Sequence, residues 1–454
     1  MPAGRARARD QSGTGQSVAG GRHGGCRVST RTLRLDAVVD ADAAQVLARR
    51  GADGAWAEAR FALDSLPRIE PLLRGRPVTD VPRIVERLCG ICPAAHHLAG
   101  VRALESLTGL DVSSATARAR RRLLHHATVA QEHARHLTHV SGPEARAVHA
   151  AATRLVAAAS GDRHFPVCAV PGGSTGPLDA ARVAGLRGPV ADALDAAAAL
   201  LRGAASAEQG DGLPPFAGHD LALVDEDGRL DLLGTRLRGR DAEGRLVVAD
   251  VAPSAWPALV SEERPGASAP RTFLTYLGTP GDGRVGGAYR VGPLAQLRVA
   301  ALSTPRAERA RRAWLAARPG AAAGGATTAR AVVLLHALEV AAALLEDPAL
   351  TSADDMTAPP VVPPAAGGTG VGWVDGARGL LVHLYVADAD GRLADARITT
   401  PTAQNERWLG ELLSALLRAG VGSGLEAAVR AADPCLPCSS APVGGMHLTV
   451  AEEA

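Results

Sequence analysis

The 454-residue sequence contains no lysine, so all 49 residues counted as Lys or Arg are arginine, and aromatic residues make up only 3%. With Ala, Gly and Arg abundant, this bias marks a GC-rich coding sequence and says little about function. The net charge is only +2, which leaves no case for nucleic acid or a strongly acidic surface as partner. No apolar run reaches the ~18 residues of a spanning helix, so no membrane association is expected. The Arg- and Gly-rich start lacks the apolar stretch of a secretory signal, and a cytoplasmic location is expected. Internal repeats are absent. Cysteine is scarce as well: there are six, and four of them fall in two C-x-x-C pairs, with Cys26 and Cys168 isolated. That pattern excludes a disulfide framework and points to metal ligands.

What is present is enough for a large core. Hydrophobic residues make up 46% of the chain, a composition that folds rather than remaining disordered. Residues 1–26 are poor in apolar side chains and read as a disordered tail. Leu33 to Val46 has strand character, and 59–77 leads to the first cysteine pair. The segment 102–160 is helical, with Leu123, Ala127, Ala130, Ala134 and Leu137 at spacings of three and four. It carries His125, His126, His133, His136 and His139. His133 and His136 share a face and read as a packed histidine pair; Glu132, beside them, is the more interesting side chain. A Pro-Gly-Gly turn lies within 164–178, and a second long helix covers 179–207. Asp-Gly and Glu-Gly turns between alternating segments make 216–290 a β-rich section. Helix returns over 306–347, strand, turn and strand over 372–402, and helix over 404–419. The pattern alone gives a mixed, helix-rich chain.

The two cysteine motifs are Arg87-Leu88-Cys89-Gly90-Ile91-Cys92-Pro93-Ala94-Ala95-His96 and Asp433-Pro434-Cys435-Leu436-Pro437-Cys438. A tight turn lets both sulfurs of a C-x-x-C pair face one ion. Four such ligands suit zinc, an iron–sulfur cluster, or nickel and iron. The pairs lie near opposite ends of the chain, unlike the short span of a zinc ribbon. If both bind one site, the fold must close around it.

RLCGIC with PAAHH, followed near the C-terminus by DPCLPC, resembles the large subunit of nickel–iron hydrogenases. Further stretches carry the resemblance: VPGGSTGPL, YRVGPLAQL, LLEDPAL and GWVDGARGLLVHLY fall in the order of that family's cytoplasmic, NAD-linked (bidirectional) branch, over roughly residues 30–450. The resemblance implies an α+β, mainly helical fold with antiparallel β hairpins. Its domain spans 27–441, with 442–454 a C-terminal extension removed on maturation. It also implies a bimetallic centre of nickel and iron, the iron carrying cyanide and carbon monoxide. Cys92 and Cys438 would bridge the metals, and Cys89 and Cys435 would be terminal on nickel, one of them accepting a proton when dihydrogen is split. Arg378 would stand over the open side of nickel and Asp433 would hydrogen-bond it. His96 would hydrogen-bond a cysteine sulfur, Thr402 an iron-bound cyanide, and Glu70 would hold magnesium. With only Cys26 and Cys168 left over, electrons need an iron–sulfur small subunit; flavin-containing diaphorase subunits and maturation factors complete the implied partners.

Three positions depart from the family pattern. Ser29 stands where a proton-relaying glutamate is expected, Ala377 where a proline precedes the arginine, and Ala441 where a histidine would bind magnesium. Two other readings of the four thiols therefore stay open: a non-catalytic scaffold or electron-transfer subunit of the same fold, and an interaction protein stabilised by zinc on four cysteines.

Overall fold

A computed structural model of the chain describes residues 43–63, 68–208, 213–263, 270–281, 285–318, 324–353 and 367–453. The expected tail 1–26, the strand-like residues 33–42 and Ser29 lie outside them. The chain enters through a hairpin, β1 (Ala43–Arg50) and β2 (Trp56–Phe61), in which Ala44, Val46 and Ala48 alternate inward. Two short helices, α1 (Glu70–Leu73) and α2 (Val81–Val85), lead to α3 (Pro93–Thr108), α4 (Ala115–His136) and α5 (Gly142–Ser160).

The single helical segment expected over 102–160 is thus parts of three helices. Gly109, at φ 67°, closes α3 in the left-handed conformation, and Ser114 accepts a hydrogen bond from Ala117 N to start α4. A 3-10 turn at Leu137–His139 ends α4, and Pro143 lies in the first turn of α5. Apolar periodicity carries through these breaks because all three helices bury a face in the interior, whereas caps act locally.

The Pro-Gly-Gly turn joins β3 (Ala169–Val170) to β4 (Gly173–Ser174), and α6 (Ala180–Ala207), capped by Asp179, is the helix expected there. The β-rich section holds β5 (His219–Val224), β6 (Arg236–Arg240) and β7 (Leu246–Val251) as an antiparallel meander. It continues through α7 (Trp256–Leu259), β8 (Val260–Glu262), β9 (Thr272–Leu274) and β10 (Tyr289–Arg290), which pairs in parallel with β5. Then come α8 (Pro293–Val299), α9 (Pro305–Ala317) and α10 (Ala326–Leu345). A second meander, β11 (Gly368–Gly376), β12 (Gly379–Ala387) and β13 (Leu393–Thr399), precedes α11 (Pro401–Arg418), α12 (Leu425–Ala432) and β14 (His447–Glu452). Helices and antiparallel hairpins together make the fold α+β.

One expectation needs correcting. Helix α10 is long and apolar enough to cross a membrane by length and composition, although no such run was anticipated. It is a core helix: 83% of its apolar window is buried inside the protein, and it packs with α4, α6 and α9. Burial on nearly every side removes the need for a polar face. At the other end of the fold, β14 pairs in parallel with β1 from Ala43↔His447 to Ala48↔Glu452, and Arg50–Glu452 and Arg60–Glu453 ion pairs flank it.

Candidate metal centre

Five chain segments converge on one point. Pro93 begins α3, which places Cys92 at its N-cap, with Cys89 in the loop just before. Glu86 and His97, both buried and 3.0 Å apart, tie the residues on either side of that loop together. At the far end of the sequence, α12 stops at Asp433, held at φ 47°, and Pro434 turns the chain toward Cys435. Cys435 N donates to Thr402 Oγ1 at 2.9 Å in the first turn of α11. The Sγ atoms of Cys89, Cys92 and Cys435 all lie within 4.8 Å of one another, Cys89 and Cys435 at 3.3 Å. Cys438 sits in the following 3-10 turn with its side chain buried, and is not one of the three.

Without an ion, three thiols so close compete for protons. Hydrogen bonds from Cys435 and Cys92 draw Cys89 well below the ordinary thiol range; the contact with Cys89, with burial, pushes Cys435 up to about 12 against the pull of Cys92, and contacts with both neighbours and burial push Cys92 upward. A soft cation reverses this, because coordination deprotonates thiols outright. Beside them is a cavity of about 50 Å³ lined by Cys92, Cys435, His96, Glu132, Ala377 and Arg378, among others. The donor set fits a soft, thiolate-bound metal, with mostly apolar space beside it.

Arg378 lies in the two-residue turn between β11 and β12. Its Nη1 reaches Glu132 at 2.8 Å and its Nε stands 3.4 Å from Asp433. Asp433 is held more closely by Arg330 of α10, at 3.0 Å. Burial alone would raise the Asp433 carboxyl, but Arg378 and Arg330 overcome it and hold the group well below its usual range. Burial pushes Glu132 up to about 7, against the pull of Arg378. The result is a largely buried chain of alternating acidic and basic groups, Glu132–Arg378–Asp433–Arg330, along one wall of the thiol site.

The expected site residues have these surroundings. His96 lines the cavity; its Nδ1 pairs with His383 Nε2 at 3.1 Å, and His383 pairs in turn with Tyr385 at 2.8 Å. Burial lowers His96 to about 4, so the ring is neutral. Thr402 Oγ1 accepts from the Cys435 backbone amide, which leaves its hydroxyl hydrogen to donate elsewhere; Thr400 and Pro401 beside it line the cavity. Glu70 opens α1 beside Arg68 at 3.9 Å, and among the described residues no three-ligand group includes it. Ala441 offers only its carbonyl, to Arg430. His133 and His136 are buried and burial lowers both, in keeping with packed histidines, while Glu132 belongs to the site. Cys168 is buried in the apolar interior, and burial raises its thiol. Arg330 and His383 were missed. An arginine inside an otherwise apolar helix was the available signal for the first, since a buried guanidinium needs a partner.

Comparison with known proteins gives the following. Residues 68–161 match the family model of nickel-dependent hydrogenases. The chain is 27% identical over 477 residues to the beta subunit of the NAD-reducing hydrogenase HoxS of Cupriavidus necator, covering 93% of this chain and 97% of that one. It is 26% identical over 414 residues to a subunit of the F420-non-reducing hydrogenase of Methanothermobacter thermautotrophicus, covering 82% and 86%. A shorter match, 38% over 91 residues, joins it to a subunit of the vhu F420-non-reducing hydrogenase of Methanococcus voltae, covering 20% of this chain and 21% of that protein. Among solved structures, an NAD+-reducing [NiFe]-hydrogenase in the H2-reduced state superposes with a TM-score of 0.77 at 29% identity, over 87% of this chain and 96% of that one. A Ni-Fe-Se hydrogenase from D. vulgaris Hildenborough shares the fold, with a TM-score of 0.63 at 19% identity over 86% and 95%.

Proposed function

We propose, for a chain that is a large-subunit-like protein of the nickel–iron hydrogenases' NAD-linked branch, that it is a catalytic subunit oxidising dihydrogen reversibly to protons and electrons. The observation that carries this is the meeting of Cys89 and Cys92 with Cys435, 346 residues from Cys89, under the Arg378 guanidinium. When bound, a nickel–iron pair supplies the soft, redox-active Lewis acid at which dihydrogen is cleaved heterolytically. Cys89, Cys92 and Cys435 would hold it, with Cys438 of the same motif as the fourth thiolate.

The chain's own residues do the rest. A cysteine Sγ holds the released proton, and Arg378 fixes a positive charge beside the cavity without competing for that proton. Glu132, raised to about 7, is poised near neutrality to take a proton or return it, as a general acid–base group must be. The apolar lining of the cavity keeps water away, which strengthens each of these charges. Electrons leave through an iron–sulfur small subunit, with a diaphorase passing them to NAD(P); a cytoplasmic hetero-oligomer follows from that reading.

The deciding experiment is metal analysis and infrared spectroscopy of the protein produced with its neighbouring subunits in a host that matures hydrogenases. About one nickel and one iron per chain, which a four-thiolate set can hold, with bands of iron-bound cyanide and carbonyl, are the expected result. Zinc alone, or no metal, would overturn the proposal and favour a scaffold that kept its thiols for structure.

A further inference from the structure

The stretch Tyr289-Arg290-Val291-Gly292-Pro293-Leu294-Ala295-Gln296-Leu297 contributes no residue to the cavity lining, yet it is buried throughout. It meets the Arg378 turn twice. Gly292 has φ 101°, and a Cβ there would stand 2.8 Å from Arg378 O; conversely, a Cβ on Gly379, at φ 120°, would stand 2.5 Å from Gly292 N. Only hydrogens fit between the two backbones. One helical turn on, Gln296 Nε2 donates to Asp375 Oδ1 at 2.6 Å and to Gly376 O at 3.0 Å.

Asp375 is itself a junction. Its Oδ2 accepts from Leu223 N at 3.1 Å, its carbonyl pairs with His125 Nε2 at 2.9 Å, and its N donates to Leu232 O at 2.8 Å. Asn405 of α11 holds the motif's own backbone from behind, exchanging two hydrogen bonds with Val291 at 2.9 and 3.2 Å.

This arrangement answers a specific weakness. Ala377 stands where a proline ring would fix the backbone before Arg378, and the turn has a cavity on one side, so its support must come from the other. The far end of Arg378 is held by Glu132, with Asp433 nearby; at the near end the hairpin closes on the Gly376–Gly379 pair, two glycines that add no stiffness of their own. We propose that Gly292 and Gln296 are positioning residues that clamp the 376–379 turn, so that the Arg378 guanidinium stays over the thiol cavity despite the alanine at 377. That the aimed group serves dihydrogen cleavage rests on the function proposed above; the clamp itself does not.

The test uses the full chain with Gln296→Leu, which removes both donated bonds at similar volume, and Gly292→Ala, which alters no polar group. Val148→Ala in α5 serves as a control that lowers stability elsewhere. Peptide-resolved amide exchange, on protein without metal and well below melting, should show residues 375–381 exchanging at least about tenfold faster in both clamp variants, a factor that corresponds to about 1.4 kcal/mol of local opening. Segments in α5 and β13 should be unchanged, and Val148→Ala should leave 375–381 alone. Uniform acceleration that tracks melting temperature, or none, overturns the clamp. In metal-loaded protein, kcat for dihydrogen oxidation should drop at least tenfold in Gln296→Leu with KM unchanged; an unaltered kcat beside a loosened 375–381 segment would overturn its role in aiming Arg378. A parent chain that takes up no nickel sinks the proposed function, while the exchange result still decides the clamp.

Discussion

Replacing Arg330 by methionine should be among the most costly single changes near the thiol site, and the geometry says by how much. The side chain is 2% exposed; it pairs with Asp433 at 3.0 Å and donates to the carbonyls of Arg430 and Ala431 at 3.2 and 3.1 Å. Methionine keeps much of the volume and removes the charge. Asp433, 4% exposed, is left with Arg378 at 3.4 Å and His136 at 3.7 Å, neither in good hydrogen-bonding geometry. Removing one partner of a buried pair costs about 3–5 kcal/mol, most of it the desolvated charge left behind. At ~2.1 cal/mol/K of unfolding entropy per residue, a 454-residue chain loses about 1 °C per kcal/mol, so the melting temperature should fall by about 3–5 °C.

A double-mutant cycle separates this account from simple loss of packing. Asp433→Asn tolerates the left-handed backbone and removes the orphaned charge. The double variant should be less destabilised than the sum of the singles by about 2 kcal/mol, read by calorimetry of the metal-free chain. Additivity within about 0.5 kcal/mol, or a melting temperature for Arg330→Met within about 1 °C of the parent, would refute the reasoning.

Other consequences are equally open to measurement. Arg378→Lys keeps the charge but not the fork, and kcat for dihydrogen oxidation with a viologen dye should drop about 10²–10³-fold at constant nickel content; a loss under threefold would remove the arginine from the mechanism. Burial lowers His96, His125 and His336 to about 4 and His136 to about 3. The unfolded chain therefore binds protons that the folded one refuses, and stability is full above pH ~6.5 and lost as pH falls toward 4. Glu132 and Asp375, both raised to about 7, oppose this by favouring the folded state as pH drops below 7, but the histidines outnumber them. At about 2 kcal/mol per histidine by pH 5, the melting temperature should fall between pH 7 and 5, and a flat profile would contradict the burial. Removing residues 442–454 strips β14 from β1 together with two partly exposed ion pairs. Most of that strand's side chains already face water, so the cost should be only about 1–3 kcal/mol, and loss of folding in circular dichroism would show the strand to be structural.

Local chemistry was the part of the fold most legible in the sequence. Asp-Gly and Glu-Gly turns located the hairpins of 216–251, and helix over 179–207 and strand, turn and strand over 372–402 correspond to α6 and to β11, β12 and β13. The helical breaks at 109–114 and 137–141 were hidden because apolar spacing continues across them. In the site, spacing identified Cys89, Cys92, Cys435 and Arg378, whose chemistry is written in their own motifs. The hydrogen bonds that position Thr402 and His96, from the Cys435 backbone amide and with His383, were not legible in their own motifs. Those partners lie 33 and 287 residues away in other segments, and short-range pattern holds no record of them. Arg330 and Asp375 show the same limit: each is ordinary in its own segment and becomes informative only when burial reveals that its charge must be answered.

The distance along the chain between Cys89 and Cys435 is also an interval of time. At roughly 5–20 residues per second of synthesis, the 346 residues between them take about 17–70 s to appear. Throughout that interval Cys89 and Cys92 are thiols without their third partner, free to oxidise or to capture whatever soft cation is abundant, zinc foremost. A metal that needs all three of these thiols can be bound only after the last helix has emerged, when nearly the whole chain has been made.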